Sequence, residues 1–321
     1  MNRLRFIVGL LAITVTFPVA CSTGSRVGRE PLAAPTPPAP STTTAAAAPA
    51  VTCGDPTASS RPSGPLPAPG QMPAGSYMRT IQDRGRLNAG VSPDTLLFGS
   101  VNPFTGRFQG FDVDVVKEIA KAIFGDDTHI AYTAVTNAQR IPDVQSGAVD
   151  LVAHTMTINC ARRALVDFSA VYYDAGQKVL VRSDSSVASI NDLGGKKVCA
   201  PLGTTSIDNL SKVPSHPVAV GVADVTDCLV AFQQGSVDAI STDDTVLAGM
   251  AAQDPYAKVV GDRFTDEPYG VAINLAHPEF TRFVNAVLER MRTDGTWAAI
   301  YNRWLGRFGP APAPPQAKYR D

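Results

Sequence analysis

The apolar positions of this chain change their period along its length. Val115, Val116, Ile119, Ala120 and Ile123 recur on one face of a 3.6-residue repeat. Gly110-Phe111-Asp112 opens that helix and Gly125 stops it. Helical spacing returns over 140–146, ended by Gly147, and again from Pro278, with Phe280, Phe283, Val284, Val287, Leu288 and Met291 turned inward. Gly295 breaks that helix, and a last one carries Trp297, Ile300, Tyr301, Trp304 and Leu305. Short apolar runs between these segments predict strands over 129–133, 150–153, 178–182, 197–200, 237–240 and 270–274. Strands alternating with helices predict α/β domains with mostly parallel sheets, whose ligands lie beyond the carboxyl ends of the strands and beside helix N-termini.

The N-terminal pattern is different. Arg3 and Arg5 precede an apolar run over 6–17, too short for the roughly 20 residues that span a bilayer. It predicts an export signal over 1–20. Pro18-Val19-Ala20-Cys21 resembles a bacterial lipoprotein signal, although the family usually has Leu where Pro18 stands. The resemblance implies that Cys21 is lipidated and anchors the chain to the membrane through two acyl chains. An ordinary signal cut near Ala20 is the alternative. Residues 21–77 are rich in Pro, Ala, Thr and Ser and poor in large apolar side chains. Such a stretch cannot offset its ordering entropy by burial, which predicts an extended tether. Residues 309–321 read as a C-terminal tail.

Composition narrows the class. Of 321 residues 44% are hydrophobic and 18% charged, and the formal net charge is -1, so no basic surface for nucleic acid is expected. There are five cysteines. Setting Cys21 aside, Cys53, Cys160, Cys199 and Cys228 remain, and in an oxidising compartment an even count reads as disulfides. Three pairings are possible. Cys199, in a strand-like run, and Cys228, at the start of an amphipathic stretch, are near in sequence and are paired here. Cys53 then joins Cys160 and staples the end of the tether to the core. No Cys-x-x-Cys or His pair is present, so no zinc site and no cofactor are expected.

An ordered set of motifs carries a family resemblance. Gly110-Phe111-Asp112-Val113-Asp114-Val115 is followed by 140–151 (Arg-Ile-Pro-Asp-Val-Gln-Ser-Gly-Ala-Val-Asp-Leu), by Thr155-Met156-Thr157 with Arg162 five residues on, and by Val166-Asp167-Phe168-Ser169. Asp192-Leu193-Gly194-Gly195-Lys196-Lys197-Val198, Gly203-Thr204-Thr205-Ser206 and Val237-Asp238-Ala239-Ile240-Ser241-Thr242-Asp243-Asp244 come next, and Gly295-Thr296-Trp297 to Trp304-Leu305-Gly306 closes the set. Over about 78–308 the chain resembles the amino-acid-binding proteins of bacterial ABC importers, and among them the glutamate/glutamine/aspartate binders, actinobacterial lipoproteins included. The resemblance implies a two-lobed, periplasmic-binding-protein-like fold of type II, with two hinge crossovers and the ligand in the cleft between lobes. Lobe one is then 78–174 plus 270–308, and lobe two 175–269.

It also implies a site. A free amino acid brings an α-carboxylate and an α-ammonium, and a cleft that excludes water must satisfy both. Arg162 offers a planar fork for the carboxylate and Thr157 a hydroxyl or N–H. Thr204 and Thr205 open a helix-like segment whose N–H groups would face an anion. Asp243, rather than its neighbour Asp244, receives the ammonium, with Thr155 beside it. Arg140 matches a position that meets the distal carboxylate of glutamate or aspartate. The basic residue after the first strand and the second-lobe histidine of acidic-ligand relatives are replaced here by Gly90-Val91-Ser92-Pro93 and Asp224-Val225-Thr226-Asp227. Arg107 and Lys178 are substitute cations. His154 reads as a packed strand-end residue.

The function so implied is an extracytoplasmic receptor, monomeric and not an enzyme. It would take glutamate or aspartate, with glutamine or asparagine as the alternative, and deliver it to an ABC permease. A receptor read by a membrane sensor protein, and a cyclohexadienyl-dehydratase-like enzyme on the same fold, are the competing readings. The Thr157, Arg162 and Asp243 set favours binding.

Overall fold

The computed structural model describes residues 51–320; the expected export signal and Cys21 lie outside them. The chain begins on lobe one with β1 (Ser59–Ser60) and α1 (Tyr77–Arg84), whose N-cap Ser76 accepts from the Arg79 N–H. Next come β2 (Leu87–Val91) and an antiparallel trio of β3 (Asp94–Thr95), β4 (Gly99–Val101) and β5 (Phe108–Gln109). Helix α2 (Phe111–Phe124) buries the apolar face its spacing predicts. Gly110 before it has φ 135°, and a Cβ there would lie 2.1 Å from the Phe98 carbonyl oxygen, so only glycine lets the hairpin and helix meet.

Lobe one continues through β6 (Ile130–Ala134), α3 (Arg140–Ser146), β7 (Leu151–Ala153), the single turn α4 (Cys160–Arg163) and β8 (Asp167–Phe168). The chain then crosses on β9 (Tyr173–Ala175) into lobe two. That lobe holds β10 (Gln177–Arg182), β11 (Lys197–Pro201), α5 (Thr205–Leu210), β12 (Val218–Val222), α6 (Val225–Gln233), β13 (Ala239–Asp243), α7 (Asp244–Ala251) and β14 (Ala257–Val260). It returns on β15 (Glu267–Tyr269), antiparallel to β9, and ends on lobe one with β16 (Ala272–Ile273), α8 (Pro278–Thr293), α9 (Thr296–Leu305) and β17 (Tyr319–Arg320).

Each lobe is built on a five-stranded sheet, β6-β2-β7-β16-β8 in the first and β12-β11-β13-β10-β14 in the second. Both sheets are mixed. The strands joined by helices pair in parallel, whereas those that follow a crossover, β10 and β16, run antiparallel to their neighbours. In lobe two, Val179 and Val181 enter one apolar cluster and Leu180 the other, as alternation on a strand covered on both faces requires.

The expected tether over 21–77 is corrected in its described part, because residues from 53 onward are docked on lobe one. Ser59 is fully buried and its Oγ donates to the Phe168 carbonyl at 2.7 Å. The buried Asn285 amide donates to Ser59 Oγ at 2.8 Å and to the Ser60 carbonyl at 2.7 Å. Met72 joins the lobe-one core, and β1 pairs in parallel with β17, so the C-terminal residues are docked as well. Polar composition hid an arm to which one buried asparagine donates twice, at Ser59 Oγ and the Ser60 carbonyl, and whose start is fixed covalently. Cys53 is bonded to Cys160, and Cys199 to Cys228. Among the described residues, no helix is long and apolar enough to cross a membrane.

Candidate functional site

The strand ends of both lobes face one another across a small cavity. Arg140, Thr155, Thr157 and Arg162 line it from lobe one, and Thr204, Thr205, Ser206, Thr242 and Asp243 from lobe two. All seven side chains that the sequence assigns to the ligand thus meet at one place.

Arg162 is held by α4, whose N-cap Asn159 accepts from the Arg162 N–H at 2.9 Å. Its Nη1 donates to the Thr157 carbonyl at 2.7 Å and its Nη2 to the Gly203 carbonyl, in lobe two, at 3.3 Å. Burial pushes the guanidinium pKa down, against the nearby carboxylates of Glu267 and Asp243. Arg140, at the same cavity, is also tied to backbone. Its Nε, Nη1 and Nη2 donate to the carbonyls of Asn137, His154 and Gly203 at 3.0, 3.1 and 3.0 Å. Three of its five N–H groups are therefore committed to backbone. Burial first, and Arg162 next, pull its pKa down to about 9. The expected contact with a distal carboxylate must compete with this bracing.

Gly203 receives both arginines because the backbones touch there. A Cβ at this residue, with φ +73°, would lie 3.0 Å from Ala138 Cα in lobe one. Thr204 caps α5, donating to the Pro201 carbonyl at 2.6 Å and accepting from the Ile207 N–H at 3.4 Å.

Asp243 ends β13. One carboxylate oxygen, Oδ2, accepts from the Tyr269 hydroxyl at 2.6 Å; the other, Oδ1, is buried without a partner. Burial first, and the Glu267 charge second, push its pKa up to about 7. The neighbouring Asp244 is instead paired with Arg263 at 2.6 Å. Thr155 has φ 40°, a strained value for a β-branched residue. The Asp112 carboxylate holds it there, accepting its N–H at 2.8 Å and the Tyr172 hydroxyl at 2.7 Å. Burial also raises the Asp112 pKa to about 7. His154, inside lobe one, donates from Nε2 to the Val135 carbonyl at 3.1 Å, and burial drops its pKa to about 3. Arg107 and Lys178 are not at the cavity: Arg107 is exposed, and Lys178 lines a separate pocket with Arg263.

Thr157 does not present a free hydroxyl proton. Its Oγ donates to Glu267 Oε2 at 2.7 Å, as does Thr205 Oγ at 2.6 Å. Glu267, Tyr269 and Gln177 all went unnoticed in the sequence. Each sits on or beside a crossover strand, and Gln177, fully buried, donates to the Ser206 carbonyl at 3.1 Å at the start of α5. A polar residue directly beside each crossover was the available signal. Among the described residues no cluster of His, Cys, Asp and Glu is arranged to hold a metal ion.

The comparisons agree with this architecture. Residues 87–307 match the model of the bacterial extracellular solute-binding proteins, family 3. The chain is 38% identical over 229 residues to the glutamine-binding protein GlnH of a Bacillus subtilis ABC transporter, covering 71% of this chain and 84% of that protein. It is 32% identical over 253 residues to the glutamate-binding protein GluB of Corynebacterium glutamicum, covering 75% of this chain and 85% of that protein. Among solved structures, an ancestral arginine-binding protein bound to glutamine is similar, with 35% identity, a TM-score of 0.64 and coverage of 70% of this chain and 99% of that chain.

Proposed function

Because the chain belongs to the bacterial extracellular solute-binding proteins, family 3, we propose that its cleft binds one free L-amino acid of the glutamine or glutamate kind and presents it to an ABC permease. The observation that carries this reading is the charge arrangement of the cavity. Lobe one supplies the Arg162 fork, and lobe two a buried Asp243 with one carboxylate oxygen unpartnered. A zwitterion answers both: its carboxylate meets Arg162 and its ammonium meets Asp243 Oδ1. Thr155 borders the ammonium end, and Thr204 and Thr205 the lobe-two wall. The ligand then bridges the lobes, so that binding and closure are one equilibrium. The protein acts outside the cytoplasm, anchored through Cys21.

Isothermal titration of the purified chain with each of the twenty amino acids tests this. Saturable heat with glutamine or glutamate is the expected result. No heat with any amino acid would refute it. Partitioning of the expressed protein into membranes, abolished by Cys21→Ala, tests the anchor.

A further inference from the structure

One peptide bond beside the cavity is gripped from both sides. Arg140 Nη1 donates to the His154 carbonyl at 3.1 Å, and Asp112 Oδ2 accepts from the Thr155 N–H at 2.8 Å. That carbonyl and that N–H belong to the same peptide unit. Asp112 is fully buried and does not line the cavity; its other oxygen accepts from the Tyr172 hydroxyl at 2.7 Å. Thr155 does line the cavity, with φ 40°. Among the described residues, the other non-glycine residues of positive φ are Leu97 and His216; neither is β-branched and neither lines the cavity. Left-handed backbone is unfavourable for a β-branched side chain. A half-turn of the 154–155 peptide plane would relieve it, because such a turn carries the φ of the following residue into the extended region. The same turn would set the carbonyl against the Asp112 carboxyl and the N–H against the Arg140 guanidinium, which has donors only. Each side chain therefore opposes the relaxation.

Resting on the amino-acid reading above, we infer that Asp112 and Arg140 are positioning residues for the ligand: together they hold the His154–Thr155 peptide plane, and through it the strained Thr155 on the cavity wall. Neither has to touch the ligand to do so. The segment runs on to Thr157, whose carbonyl accepts from Arg162 Nη1 at 2.7 Å. A change of plane at 154–155 is thus passed to Thr155, at the proposed ammonium end, and to Thr157 and Arg162, at the carboxylate end. Every free amino acid has both ends. The signature is a loss of affinity shared by all ligands rather than a change of preference among them. That gives Arg140 a part different from the distal-carboxylate contact that the family resemblance implies.

A double-mutant cycle with Thr155→Gly tests it, since glycine takes a left-handed φ without being held there. The readout is titration with glutamine and with glutamate. In the Thr155 protein, Asp112→Ala is expected to weaken both ligands by about tenfold or more, to within about twofold of each other. In the Thr155→Gly protein the same substitution should cost about threefold or less. Asp112→Asn, whose amide oxygen can still accept the Thr155 N–H, should stay within about threefold of wild type. Arg140→Met covers the case in which Asp112→Ala does not fold. It releases the carbonyl side of the same peptide, and its loss of affinity should also shrink by about threefold or more when Thr155 is glycine. Losses of equal size in the threonine and glycine proteins would overturn the inference and leave the receptor reading intact. So would an Asp112→Asn protein that loses as much affinity as Asp112→Ala. A wild type that binds neither ligand would fail the receptor reading itself.

Discussion

The two lobes share one plan, a five-stranded mixed sheet covered by helices, yet they bring opposite things to the cleft. Lobe one carries two buried arginines whose donors rest on backbone carbonyls. Lobe two carries a buried carboxylate with an oxygen left over. Both arginines also reach across to the Gly203 carbonyl of lobe two, at 3.0 and 3.3 Å, whereas Asp243 Oδ1 has no partner. They differ in construction as well. Lobe one is assembled from distant pieces of chain, bridged by Cys53–Cys160 across 107 residues, whereas the lobe-two bridge Cys199–Cys228 spans 29. On the proposed reading, the ligand's ammonium answers the oxygen that lobe two leaves over.

The contrast can be broken most severely at the disulfides. In the chain-entropy picture, removing Cys53–Cys160 costs about 4–5 kcal/mol and removing Cys199–Cys228 about 3–4 kcal/mol. Calorimetric unfolding of the two double serine variants is expected to rank them so. Only the first should also weaken ligand, because Cys160 opens the turn that holds Arg162. Equal effects on binding would erase that distinction between the lobes.

Asp243→Ala comes next. It leaves the ammonium unpaired in a dry cavity, and affinity should fall by at least about a hundredfold for every amino acid bound. Arg162→Ala should lose affinity similarly but also stability, since the carbonyl of Thr157 loses its donor. Asp243→Asn should do the reverse to stability, raising the melting temperature of the ligand-free protein. The sign follows from the raised pKa near 7. From the ordinary carboxylate range up to about pH 7 the folded protein keeps a proton that the unfolded chain has lost, so ionisation costs stability as pH rises through that window. The gain from Asp243→Asn should accordingly be larger at pH 8 than at pH 4.

A smaller effect follows from the same group. Pairing with an ammonium needs the charged form, so affinity should fall as pH drops below about 7, approaching tenfold per pH unit. Binding profiles of wild type and Asp243→Asn give the check: a slope that survives the substitution would move the titration to another group, Asp112 foremost.

The smallest expected change is at the rim. Asp94, on β3 of lobe one, accepts from both the N–H and the hydroxyl of Thr226, on α6 of lobe two, each at 3.0 Å. Neither residue lines the ligand cavity. Asp94→Ala should weaken all ligands by about threefold to tenfold without changing their order; a changed order of preference would place Asp94 in recognition rather than in closure.

What the sequence made legible follows a physical rule. Helices α2 and α3 were readable to within a residue because apolar spacing and a terminal glycine mark them locally. That Arg162 and Asp243 share one cavity was legible through a family motif rather than through any local necessity. Glu267 was not, because the four donors that surround it come from both lobes and meet only in the fold. The docked arm was missed for a related reason. Its anchor, Asn285, lies 226 residues from Ser59, and composition carries no information about such partners.

The parallel pairing of β1 with β17 brings residues 59–60 and 319–320 side by side on lobe one. Whatever is attached at either arm, a surface, a dye or a fused domain, is therefore grounded in the same lobe. Among the described residues, lobe two is an insertion between β9 and β15. A pair of labels, one on either arm and one on the exposed Tyr256 edge of lobe two, would make the chain a distance gauge. Its stator is already built in, and the arms can be exchanged without recalibrating the moving part.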